Sequence, residues 1–158
     1  MGNVFAGSEI VEIGVQIEKN GRDFYEALAA KSKAKKAKEV FGYLAGEEAK
    51  HITAFQKILE SVERYEPQEA YPGEYFAYMN ALASEHVFTK QNKGKDIAKK
   101  TRNDKEAVDL GIGFEKDSII FYEGMRKVAL EEDERVVNDL ILQEQNHLRQ
   151  LVELKKNL

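Results

Sequence analysis

Six side chains combine a ligand's chemistry with regular spacing: Glu18, Glu48, His51, Glu115, Glu144 and His147. Glu48 and His51 are three residues apart, as are Glu144 and His147, so on helices each pair shares a face. A buried carboxylate without a partner is very costly. Four at one level would repel one another, and some would have to keep their protons with raised pKa values. Two divalent cations remove the difficulty, because four glutamate anions balance four positive charges. Oxygen and imidazole donors without sulfur suit iron, manganese or zinc. One Glu-x-x-His arises by chance, and either histidine alone would be read as an ordinary polar core residue. Two such pairs in register with two further glutamates are a much stronger signal.

Helices must position these groups. Helical periodicity covers residues of about 8–30, 35–63, 104–130 and 133–157. Shifting the first of these by 97 residues superimposes Val11 on Val108, Gly14 on Gly111, Glu18 on Glu115 and Tyr25 on Tyr122. Shifting the second by 96 superimposes Leu44 on Leu140, Glu48 on Glu144, His51 on His147 and Ile58 on Leu154. The matched positions recur at spacings of three and four, the inward stripe of a helix. The chain therefore reads as two helical hairpins of one design, joined by a connection over 64–103. Glu18 and Glu48 are equidistant from a turn near residue 33, and Glu115 and Glu144 from one near residue 130. In antiparallel hairpins the four glutamates then share one level. The expected fold is an all-α four-helix bundle with one long crossover, and residues 1–158 form a single domain.

Within the connection, Pro67 and Pro72 break the pattern, 74–88 read as a shorter helix, and KQNKGKDIAKKTRN reads as a polar loop that could include a helical turn. Asn103 and Glu106 have the spacing of a capping box. Gly14, Gly21 and Gly111 lie on the glutamate-bearing faces, where small residues would either leave room at a metal site or permit close helix packing. Tyr25 and Tyr122 follow Glu18 and Glu115 by two turns and either hydrogen-bond ligating carboxylates or fill the core. Glu47 points about 100° from Glu48 around the helix, so it is expected in solvent. Glu85-His86 is not expected to ligate, because adjacent residues cannot share a helix face.

Composition narrows the class. The net charge of −4 carries no nucleic-acid footprint, and the lysine-rich stretches at 31–38 and 90–100 read as solvated surface. There is no cysteine, which excludes disulfides, thiolate metal sites and thiol redox chemistry. No leader pattern and no apolar run long enough for a membrane span is present, so the expected compartment is the cytoplasm.

With EEAKH at 47–51, EQNHL at 144–148 and the two Glu-Lys-x5-Tyr helices in place, the chain resembles the ferritin-like di-iron carboxylate proteins, within them the rubrerythrin-like branch. The resemblance covers everything but the connection. It implies two iron ions (manganese or zinc as alternatives) held by the six residues above. It also implies reduction of hydrogen peroxide or reaction with dioxygen, using electrons from a separate donor protein. Iron binding and oxidation without peroxide turnover is the alternative. Storage would need a hollow shell, whereas peroxide reduction needs no more than a monomer or homodimer. Two departures stand out. Full rubrerythrins carry a cysteine-ligated iron domain, for which this sequence has no residues. They also have an extra glutamate one turn beyond the third-helix ligand, where this chain has Ser118.

Overall fold

The computed structural model describes residues 7–65 and 73–158. Four long helices build the bundle: α1 (Gly7–Lys31), α2 (Lys35–Tyr65), α5 (Asp104–Met125) and α6 (Glu134–Lys155). Two shorter ones, α3 (Gly73–Glu85) and α4 (Lys93–Lys100), lie in the connection, and a 3-10 turn (Glu131–Asp133) precedes α6. Helix α1 packs chiefly on α2 and α5 on α6, while α2–α6 and α1–α5 contacts join the two hairpins. Helix α4 lies along α1, and α3 along α5. No helix among the described residues is long and apolar enough to cross a membrane.

The inward stripes behave as the spacing requires. Val11, Tyr25, Leu28, Phe41, Leu44, Phe55 and Ile58 are buried in the first hairpin. Val108, Phe114, Tyr122, Met125, Val137, Leu140, Leu151 and Leu154 are buried in the second. Burying an aliphatic or aromatic side chain contributes about 1.5–3 kcal/mol, so this core outweighs the modest intrinsic propensity of helices rich in β-branched and aromatic residues. The small residues serve packing. A Cβ at Gly14 would stand 2.9 Å from the Phe55 ring, and one at Gly111 would stand 3.1 Å from Leu151. Only Gly21 also borders a glutamate: its Cβ would meet Phe114 at 2.7 Å and Glu48 Oε2 at 3.4 Å.

Three expectations need correction. The stretch expected as a polar loop contains α4, whose small residues Gly94 and Ala98 are buried against α1 while its lysines face water. The third long helix ends at Met125 rather than near 130. There the Val128 amide turns back to the Met125 carbonyl at 3.1 Å, and the Val128 side chain tucks into the core. The capping box is only half made: Asn103 accepts from the Glu106 amide at 2.8 Å, but the Glu106 carboxylate takes Arg102 Nε at 3.1 Å instead of reaching back. The break at Pro67 and Pro72 lies outside the described residues.

Two side chains of α1 fasten the connection. Asn20, buried two residues after Glu18, donates to the carbonyls of Phe88 and Lys90 at 2.6 Å each. Its Oδ1 accepts from the amides of Lys93 at 3.1 Å and Gly94 at 3.3 Å. At the far end of α4, Lys31 Nζ donates to the carbonyls of Ala98, Lys99 and Thr101, satisfying carbonyls that a helix end leaves open. Gly94 fits so closely that a Cβ would run into the Asn20 carbonyl. Gly94→Ala should therefore cost on the order of 3 kcal/mol in urea unfolding. At Gly42 a Cβ would meet nothing, so Gly42→Ala should be stabilising by about 0.5–1 kcal/mol. Equal midpoints for the two variants would show that α4 does not hold α1 in solution.

Candidate metal centre

Glu18, Glu48, Glu115 and Glu144 each have no exposed surface, and His51 and His147 are exposed by 2% and 1%. All six side chains meet at mid-bundle in two overlapping groups. Ligand atoms of Glu18, Glu48, His51 and Glu144 lie within 4.8 Å of one another, as do those of Glu48, Glu115, Glu144 and His147. Glu48 and Glu144 belong to both groups, so they stand where bridging carboxylates would. Glu18 with His51, and Glu115 with His147, close the two ends.

The imidazoles lie almost parallel, 5.4 Å apart with 13° between planes. Each turns Nδ1 toward the carboxylates. His51 Nδ1 is 2.8 Å from Glu144 Oε1 and 3.5 Å from Glu18 Oε2. His147 Nδ1 is 3.2 Å from Glu48 Oε1, but that pair is not aligned as a hydrogen bond and both atoms lack one. Glu48 Oε2 and the Oε2 atoms of Glu18, Glu115 and Glu144 also lack hydrogen-bond partners. Buried polar groups are nearly always paired, so such a concentration of orphaned acceptors around one point fits cations held between them. The donor set, oxygen plus imidazole without sulfur, suits iron, manganese or zinc.

The remaining carboxylate oxygens are held in place. Tyr25 donates to Glu115 Oε1 at 2.7 Å, and Tyr122 donates to Glu18 Oε1 at 2.6 Å. Each tyrosine thus serves the glutamate of the opposite hairpin. Burial, then the nearby Glu115 and Glu18 charges respectively, raises both phenols well above their ordinary value, so both remain donors.

Without metal, protons take the place of cations. Burial and then the Glu144 charge push Glu48 well above the carboxylate range, and burial foremost does the same to Glu115. Burial also opposes ionisation of Glu144, but its close neighbours Glu115, His147 and His51 outweigh it and hold that group well below the range. Burial lowers His51, yet Glu18 and Glu144 carry it up to about 12. His147 reaches about 11 through Glu115 and Glu144 against the same penalty.

Two neighbours were not anticipated. Gln143 Oε1 accepts from His51 Nε2 at 2.6 Å, fixing the ring with Nδ1 inward. Glu47 is not in open solvent: it is partly buried, 3.3 Å from Lys50, and can group with His51 and His147. The α2–α6 seam brings His147 across to the residue beside Glu48. The repeat itself could have flagged both, since the 96-residue shift pairs Glu47 with Gln143.

Comparison with known proteins agrees with this geometry. The family model described as Rubrerythrin matches residues 9–155. A Thermotoga maritima crystal structure described as a ferritin-like diiron-carboxylate protein superimposes with a TM-score of 0.73 at 26% identity, covering 96% of this chain and 95% of that one. No curated protein matches the sequence significantly.

Proposed function

We propose a function from one premise, that this chain belongs to the rubrerythrin family: it is a dinuclear iron oxidoreductase that reduces hydrogen peroxide with electrons from a separate donor protein. The observation that carries this reading is the pair of overlapping Glu/His groups with their orphaned oxygens. Two ferrous ions held there would supply one electron each, together enough to cleave one peroxide O–O bond. The protein's own part is positional. Glu48 and Glu144, which belong to both groups, would hold both metals, the tyrosines fix Glu18 and Glu115, and Gln143 fixes His51. The phenols, kept protonated by burial, are donors within the site rather than competing ligands. These 158 residues contain no cysteine, so the reducing partner is taken as external, and a cytoplasmic setting supplies reductants of that kind.

One feature favours the alternative of iron oxidation and transfer. Glu47, partly exposed, groups with His51 and His147 at the edge of the centre, where an incoming cation could pause. One experiment separates the readings. Protein loaded anaerobically with iron and reduced should consume about one peroxide per two irons. His51→Ala/His147→Ala should hold iron weakly and lose the reaction. Uptake of many irons per chain as mineral would replace peroxide reduction with storage, and undiminished peroxide loss in the double variant would remove the chemistry from this site.

A further inference from the structure

A third histidine lies close to the centre without joining it. His86 follows α3 in the connection and is 4% exposed. Its amide donates to the Leu82 carbonyl at 3.0 Å, and its ring stands edge-on to Phe114, 5.7 Å between centroids. Nδ1 accepts from the Phe88 amide at 3.1 Å, and Nε2 lies 3.0 Å from Ser118 Oγ. Burial lowers this imidazole to about 4, so at neutral pH it carries one N–H. An amide cannot accept, so Nδ1 must be the bare nitrogen and Nε2 the donor. Ser118 Oγ therefore accepts, and its own proton must go elsewhere.

That hydroxyl is fully buried on the α5 stripe, one turn beyond Glu115. It makes no bond to a preceding helix carbonyl, as Ser32 does to Leu28 at 2.6 Å. The repeat shows what it faces. Ser118 pairs with Gly21, and a Cβ at Gly21 would sit 3.4 Å from Glu48 Oε2. The counterpart of Glu48 is Glu144, whose Oε2 has no hydrogen-bond partner and whose charge acts on His86. By analogy with Gly21, the repeat places the Ser118 hydroxyl beside the Glu48–Glu115–Glu144–His147 group, while the equivalent place at the other group holds glycine.

We propose that His86 and Ser118 form a fixed hydrogen-bond donor at the Glu115–Glu144–His147 position, binding a small anion or peroxide there and making the two metal positions inequivalent. This rests on the dinuclear reading above. His86 acts as a positioning residue: by occupying the acceptor side of Ser118, it turns the hydroxyl proton toward the centre.

The test uses azide as the anion and the full chain loaded with two cobalt(II) ions, followed by the visible spectrum. Ser118→Ala and His86→Phe should each weaken azide binding by about tenfold. The combined variant should be no weaker than either alone, because the pair acts as a unit. Ser118→Thr, which keeps a hydroxyl, should restore binding. In the metal-free protein, long-range proton–nitrogen spectra should show His86 as the Nε2–H tautomer. Unchanged azide affinity in Ser118→Ala, additive losses, or an Nδ1–H tautomer would each overturn the proposal while leaving the metal centre intact. Failure to bind two cobalt ions per chain would overturn the dinuclear reading itself, and this proposal with it.

Discussion

Glu48→Gln/Glu144→Gln should lose nearly all metal-dependent stabilisation, while Glu48→Gln alone should leave the metal-free form at least as stable as the parent. Both ligand groups contain both residues, so the pair of changes damages the two positions together. Metal that binds only the folded state at a hundredfold excess over Kd stabilises by about 2.7 kcal/mol, or about 5–10 °C in a domain of this size. That increment should shrink to almost nothing in the double variant. In the metal-free protein, burial and the Glu144 charge already make an ionised Glu48 costly. Glutamine keeps the shape, and its amide can donate to orphaned oxygens such as Glu18 Oε2 and Glu115 Oε2. Thermal melts with and without manganese(II) measure both quantities. A large fall in the metal-free melting temperature of Glu48→Gln would show that this carboxylate holds the bundle together rather than strains it.

Metal-free stability should fall as pH rises from about 6.5 to 9, whereas metal affinity should rise over the same range. The signs follow from the histidines. An unfolded chain releases its imidazole protons near pH 6.5, but folded His51 and His147 hold theirs to about 12 and about 11. Their contribution is complete below the unfolded value and declines above it, by up to about 1.4 kcal/mol per pH unit for each histidine. Glu48 and Glu115, raised in the folded state, act in the same direction from the carboxylate range upward. On the acid side, His86, lowered to about 4, stays neutral while the unfolded chain takes up a proton, so stability also declines below about pH 6.5. Glu144, lowered, adds to that decline as pH falls below the carboxylate range. Metal must displace the protons on His51 and His147, so its binding releases them and strengthens with pH. Urea midpoints at several pH values, with and without manganese(II), would show two diverging curves; a flat metal-free curve would rule out the cationic imidazoles.

The bundle and its centre were legible because each critical residue is written twice. One Glu-x-x-His or one Glu-x6-Tyr says little, but repetition at 96 and 97 residues places both copies on matching helices, and the Rubrerythrin match over residues 9–155 agrees. The connection has no second copy: its shorter helix, expected at 74–88, is there as α3, but the rest was misread. Helix α4 hides its packing face in Gly94 and Ala98, which carry almost no hydrophobic signal, among lysines that suggest a loop. Asn20 looks like a surface residue of α1, because a side chain that binds four backbone groups far along the chain leaves no local mark. His86 stays out of the ligand groups, as expected, but its burial just past the end of α3, where the chain has turned, leaves no periodic mark in the sequence. The end of α5 carries no proline, and Gly124 lies inside its last turn rather than after it, so only the burial of Val128 reveals the turn.

The crossed tyrosine bonds also bear on how the molecule folds and opens. Contacts within each hairpin join residues close in sequence, the kind that form early and cheaply. Tyr25 to Glu115 and Tyr122 to Glu18 span 90 and 104 residues. Neither hairpin's tyrosine fastens its own glutamate, so the full set of contacts forms only when the halves dock, and it is lost when they part. Release of any metal held there would then be tied to separating the hairpins as units, not to fraying of any one helix.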